Sequence, residues 1–215
     1  MAGTGFVRVS KLRAADPATI GTYTLIGRVG EGGMGTVYLA ESPAGERVAV
    51  KVIRADLTDM AEFRGRFASE VARAQQVPPF CTAEVLGGDP DHDPPYLVVE
   101  YVDGPSLSEV VSSTGPLTPA NTYGVAIGVA TALTAIHSCG VIHRDLKPSN
   151  VLLAQGSPKV IDFGIARAVD ATAGLTESGQ VVGTVAYMAP ERFTPLSTLT
   201  PASDVFSWAA IVTYA

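Results

Sequence analysis

Apolar positions change their spacing several times along the chain, and each change marks an element. Residues 23–29 are β-prone, and Thr36-Val37-Tyr38-Leu39-Ala40-Glu41 is β-branched and aromatic, so the two stretches read as strands either side of a glycine cluster. Ser42-Pro43-Ala44-Gly45 makes a turn, and Arg47-Val48-Ala49-Val50-Lys51-Val52-Ile53 reads as a third strand. The spacing then lengthens. Phe63, Phe67, Val71 and Ala74 recur at helical intervals and predict a helix over 60–75, which Val77-Pro78-Pro79 stops. A fourth strand is expected over 82–86, a loop over 87–95, and another strand from Tyr96. Thr118-Pro119 starts a helix over 119–138 that is apolar nearly all round, as a core helix is. Gly124 and Gly128, four apart on it, are read as points of close packing inside the domain. Thr200-Pro201-Ala202-Ser203-Asp204 starts a last helix running apolar through Val212. Residues 1–21 show no sustained period and are read as a loosely held lead-in.

Composition narrows the classes. A chain of 215 residues with 47% hydrophobic and 17% charged residues can bury a core. The net charge of −6 gives no basic footprint for nucleic acid. Cys81 and Cys139 lack metal-ligand spacing and read as reduced thiols, which suits a cytoplasmic location. No apolar run is long enough for a membrane helix, and the N-terminus lacks a signal-peptide core.

The candidate chemistry is concentrated in His143-Arg144-Asp145-Leu146-Lys147-Pro148-Ser149-Asn150 and, shortly after, Asp162-Phe163-Gly164. The short apolar runs 141–142, 151–153 and 160–161 flank a loop and fix its polar side chains. A carboxylate to take a hydroxyl proton, with an amide and a second carboxylate to hold a divalent metal, suits phosphoryl transfer. Upstream lies Gly30-Glu31-Gly32-Gly33-Met34-Gly35, whose backbone N–H groups can approach a phosphate chain. Dinucleotide-binding folds share that spelling, but they need a helix directly after the glycines, and here a strand follows.

Together these motifs resemble, in order and separation, the glycine-rich loop, Val-Ala-Val-Lys strand, catalytic loop and metal motif of protein kinases. The resemblance runs from Tyr23 to Ala215. It implies an α+β, two-lobed protein kinase-like fold: lead-in 1–21, a small antiparallel β lobe over 22–103, and a mainly helical large lobe over 104–215. It implies a serine/threonine protein kinase using ATP with Mg²⁺, Mn²⁺ being possible, and acting on protein hydroxyls. The style is similar to bacterial receptor-like kinases, which often autophosphorylate and dimerise through the small lobe. By resemblance Asp145 accepts the hydroxyl proton, Lys147 faces the γ-phosphate, and Asn150 and Asp162 hold the metal. Lys51 clamps the α- and β-phosphates, with Glu70 on the 60–75 helix as its partner, and Asp204 braces the catalytic-loop backbone. The nucleotide is expected against Val29, Gly30, Glu31, Gly32, Gly33, Met34, Gly35, Val37, Ala49, Val99, Glu100, Val102 and Leu152. Regulation is expected at Thr176 and Ser178, whose phosphates would meet Arg144, with Thr184 near the acceptor site.

The family's pattern continues past Ala215 with helices that cover the last helix here. On that basis Trp208, Ile211 and Val212 are expected to lack part of their packing, and Glu191 its usual arginine. The alternative function is therefore an inactive truncated fragment or a pseudokinase-like nucleotide-binding scaffold, although Lys51, Asp145 and Asp162 are all present.

Overall fold

The computed structural model describes residues 9–32, 35–54, 61–154, 157–163, 185–193 and 199–215. Strands β1 (Thr19–Ile20), β2 (Tyr23–Gly32), β3 (Gly35–Glu41) and β4 (Arg47–Ile53) come first. Helix α1 (Ala61–Ala74) precedes β5 (Val85–Asp89) and β6 (Tyr96–Glu100). These strands form one antiparallel sheet ordered β1-β2-β3-β4-β6-β5. The helical part contains α2 (Leu107–Thr114), α3 (Pro119–Ser138) and α4 (Pro201–Tyr214), with a small hairpin of β7 (Val151–Ala154) and β8 (Ser157–Val160). The expected antiparallel sheet followed by a mainly helical part is thus present.

The sheet buries both faces. Phe63, Phe67 and Val71 of α1 join Ile53 and Leu97 in a core that continues into α3, the hairpin and Ile211 of α4. Ile20, Leu25, Tyr38, Val48, Val50, Tyr96 and Val98 form a second cluster, with Leu12 packed against it. The lead-in from Val9 onward is therefore not loose. Ser10 exchanges two backbone hydrogen bonds of 2.8 Å with Arg28, and β1 extends the sheet. The fourth strand also begins later than the spacing suggested. Ala83 N–H donates to the Val160 carbonyl and Val160 N–H to the Cys81 carbonyl, so 81–83 are spent on the hairpin and pairing with β6 starts at Val85.

Helix α3 has the expected limits, and the Thr118 hydroxyl accepts from the Asn121 N–H. The two glycines on it separate. A Cβ at Gly128 would stand 2.2 Å from Pro158 Cγ, so this glycine lets α3 meet β8, whereas Gly124 faces open space. On α4 the exposed apolar side chains are Val205 and Phe206, not Ile211, which is fully buried. Trp208 is partly buried and donates its indole N–H to the Ala126 carbonyl. Thr200 occupies the N-cap of α4 without a side-chain cap bond. Glu191 accepts a 2.6 Å bond from the Ser203 hydroxyl, and that bond holds its carboxyl below the usual range. It therefore does not stand as an uncompensated charge.

Asp204, in the first turn of α4, is 1% exposed. Its carboxylate accepts from the His143 N–H at 2.8 Å and the Arg144 N–H at 2.9 Å, and lies 2.8 Å from His137 Nε2. The bracing of the loop backbone by Asp204 follows the sequence reading; the His137 contact was not foreseen. Burial alone would raise the Asp204 pKa. The bonds to His137 and the two peptide N–H groups outweigh it and hold the carboxyl below its ordinary value.

Two expectations follow for stability. Gly128→Ala should destabilise the fold by about 1–3 kcal/mol through overpacking, while Gly124→Ala should stabilise it by about 0.5–1 kcal/mol through helix propensity. Thermal melts of both variants check the opposite signs. Because Asp204 titrates lower when folded, its contribution is present above the unfolded carboxylate value of about 3.9 and is lost as pH falls through the folded value. Melting temperature should therefore drop on acidification below about pH 4 in the parent protein and drop less in Asp204→Asn, which starts lower at neutral pH. Parallel pH slopes for the two proteins would count against this role.

Candidate active site

Between the sheet and the helical part lies a cavity of about 790 Å³. Its roof is the β2–β3 hairpin. Gly35 has a φ of 152°, and a Cβ there would lie 1.9 Å from the Val52 carbonyl oxygen, so only glycine lets this strand start so close to β4. Every expected nucleotide-contacting residue among the described ones lines the cavity, while Gly33 and Met34 lie outside the described residues. Lys51, at the middle of β4, and Asp145, Lys147, Asn150 and Asp162 line it as well.

Asp145 sits on the loop after Val141, and its Oδ2 receives Lys147 Nζ at 2.7 Å. The Asn150 amide group donates to the Asp145 carbonyl at 2.8 Å and to Oδ2 at 3.4 Å. Among the described residues these bonds fall on Oδ2 and on the Asp145 carbonyl, and the Asn150 amide oxygen remains an acceptor. The backbone before Asp145 is held from both sides. Arg144 has a φ of 70°, unusual for a non-glycine residue. Its N–H is fixed by Asp204, and its carbonyl accepts from the Arg192 guanidinium. His143, fully buried beneath the loop, has its pKa pushed down by burial, so its ring stays neutral.

Lys51 Nζ stands 3.0 Å from Asp162 Oδ1. Burial would raise the Asp162 pKa, but the charge and hydrogen bond of Lys51 hold it below the ordinary value. The structure thus brings Lys51 to Asp162 rather than to Glu70. Glu70 is half-buried on α1 and is not among the residues lining the cavity. No pattern along the sequence encodes this choice of partner.

Other residues were missed. Tyr101, Ser106, Ser108, Glu109, Ser149, Ile161 and Arg192 also line the cavity. Ser106 and Glu109 form a capping box at the start of α2, with the Glu109 carboxylate accepting the Ser106 N–H at 2.7 Å. The Ser-x-x-Glu spacing was a legible signal for them. Arg192 carried none. Glu100, expected to matter through its backbone, also has both carboxylate oxygens 2.6 Å from Lys159 Nζ on β8. Thr176, Ser178 and Thr184 lie outside the described residues, so the arrangement expected around Arg144 is not visible.

Hard oxygen donors from Asp162 and Asn150, placed beside a lysine under a glycine hairpin, fit a divalent cation shared with phosphate oxygens. Among the described residues no group of three or more His, Cys, Asp or Glu side chains could hold a metal ion by itself.

Comparison with known proteins agrees. A family model described as protein kinase domain matches residues 23–215. The chain is 48% identical over 207 residues to the probable serine/threonine-protein kinase PkwA of Thermomonospora curvata, covering 96% of this chain and 28% of that protein. It is 47% identical over 207 residues to the serine/threonine-protein kinase AfsK of Streptomyces coelicolor, with 96% and 26% covered. The chain therefore spans about a quarter of the length of these relatives. Among solved structures, the Mycobacterium tuberculosis PknI kinase domain superposes with a TM-score of 0.74 at 26% identity, over 93% of this chain and 74% of that one. With the family model matched from Tyr23 to Ala215 and a kinase domain superposing over 93% of the chain, the chain belongs to the protein kinase family and has its two-part fold.

Proposed function

We propose that this cleft transfers the γ-phosphoryl group of ATP to serine or threonine hydroxyls of proteins, including the protein's own. Family membership implies ATP and a divalent metal; Mg²⁺ is the metal proposed here, with Mn²⁺ as a substitute. The observation that carries the reading is the meeting of Asp145, Lys147, Asn150, Asp162 and Lys51 on one cavity under the glycine hairpin.

Asp145 Oδ1 orients the acceptor hydroxyl and takes its proton as the oxygen bonds to the γ-phosphorus and the bond to ADP breaks. Lys147, 2.7 Å from the same carboxylate, fixes its Oδ2 edge and offers positive charge to the γ-phosphate. Lys51 meets the phosphate chain, and the apolar walls of Val29, Val37, Ala49 and Leu152 enclose the base. Bound metal, held by Asp162 and Asn150, would neutralise phosphate charge. The Leu146-Lys147-Pro148 sequence supports serine/threonine over tyrosine acceptors.

No described helix is long and apolar enough to cross a membrane. Two free cysteines support action in a reducing cytoplasm. Phe80, 56% exposed after α1, and Leu86, 44% exposed on the edge strand, support a homodimer through the small lobe. Aspartate at either position should lower the dimer fraction in sedimentation without changing the melting temperature; unchanged sedimentation would remove this contact.

The activity is tested with labelled ATP and Mg²⁺. Asp145→Asn should lower transfer by about 10²–10⁴-fold while nucleotide still binds. Nucleotide binding without transfer by the parent protein would instead identify a binding scaffold. In the same assay Thr176→Ala combined with Ser178→Ala should reduce transfer if their phosphates order the segment; full activity would remove them from regulation.

A further inference from the structure

Residues ahead of the family match hold the strand that carries the glycine hairpin. Strand β2 shifts register against β3 twice, between Leu25 and Gly27 and between Arg28 and Gly30, so Arg28 stands between two irregularities. Such shifts bend a strand and re-aim its side chains. Val29 and Gly30, next along, already line the cavity. Something must therefore fix the strand at Arg28.

Three independent observations point to the segment from Val9 to Asp16. First, both backbone polar groups of Arg28 are spent on Ser10, each at 2.8 Å. Second, the Arg28 side chain, 10% exposed, pairs through Nε with Asp16 Oδ2 at 2.9 Å, and the Asp16 side chain is 5% exposed. Tyr38, opposite Arg28 on β3, donates its hydroxyl to Asp16 Oδ1 at 2.8 Å, and the Arg28 guanidinium lies 5.6 Å from the Tyr38 ring centre. One buried carboxylate thus gathers a side chain from each strand of the hairpin. Third, Gly27 leaves the space that this segment fills: a Cβ there would lie 2.5 Å from Val9 Cγ1 and 2.7 Å from the Ser10 carbonyl oxygen.

The network then reaches the cleft. Arg28 Nη1 holds Glu31 at 2.8 Å, Arg13 holds the same carboxylate at 3.1 Å, and Glu31 lines the cavity. Burial would push Asp16 up, yet the Arg13 N–H, the Tyr38 hydroxyl and the Arg28 guanidinium keep its carboxyl low, consistent with a permanently ionised anchor.

We propose that residues 9–16 form a strap, and that Asp16 and Arg28 are positioning residues that set the glycine hairpin over the phosphates. This rests on reading the cleft as an ATP site, but the strap lies before Tyr23, where the kinase family model begins. The matches to PkwA and AfsK leave only about eight residues of this chain uncovered, so they take in Asp16.

The test compares the parent protein with Asp16→Asn, which removes the anchoring charge at constant size, and Gly27→Ala, which crowds the strap off the strand. Hydrogen exchange on the nucleotide-free protein reads the strap without requiring catalysis. Amides of 29–32 and 35–37 should exchange at least about tenfold faster in both variants, with those of β4 and β6 unchanged. In steady-state kinetics the KM for ATP should rise about five- to tenfold while kcat stays within about twofold. Unchanged exchange at the hairpin overturns the strap, and so does equal acceleration over the whole sheet, which marks general loosening. Selective exchange with an unchanged KM overturns the positioning role. A parent protein that neither binds nor uses ATP would overturn the kinase reading instead, and the exchange comparison would still decide the strap.

Discussion

A carboxylate removed from water must be repaid by hydrogen bonds, and Asp204 takes them from two consecutive peptide N–H groups of the loop before Asp145. Arg144 sits in the left-handed region, a conformation that costs a non-glycine residue about 1–3 kcal/mol unless its surroundings enforce it. Asp204 enforces it from the N–H side and Arg192 from the carbonyl side. The direction of the Asp145 side chain follows from that backbone turn. The Asp145 carboxylate is thus aimed by a residue far along the chain that does not line the cavity, and α4 matters to the site although it stands behind it.

The sheet obeys a comparable constraint. Its inner face packs on α1 and the helical core, so its outer face, with Tyr38, Val50 and Val98, needs a cover of its own. Leu12 and Ile20 supply it. Covering that face with chain from before β1 also brings Asp16 over Arg28 and Tyr38, two polar ends on a face that is otherwise apolar. Packing and the roof of the cleft therefore share the same upstream residues.

Much of this was legible from local signals. Thr118-Pro119 gave the start of α3 because a hydroxyl cap and a proline at the first helical position act within one turn. The strand carrying Lys51 matched at both ends, since Arg47 to Ile53 is bounded by a turn and by the loss of β-branched residues. The bracing role of Asp204 and the meeting of Asp145, Asn150 and Asp162 came from motif resemblance; the last three line one cavity and Asp204 stands behind it. What escaped were several other partners chosen across the fold. Lys51, expected to meet Glu70, takes Asp162. Residues 81–83 could continue β5 or join β8, and Val160 claims them. The lead-in lacks periodicity because its contacts alternate between backbone bonds, one apolar anchor and one carboxylate, and no repeat records that. Gly124 and Gly128 look alike on paper, yet only the second meets a proline ring.

The bond between Glu100 and Lys159 has a mechanical corollary. It ties the last residue of the sheet to the hairpin beneath the cleft, at the crossing where the chain passes from one part to the other. A clam shell fastened at its back edge can gape only by rotation. Separation is then smallest beside Glu100, and the same angular change that barely disturbs that end opens the far side of the cavity.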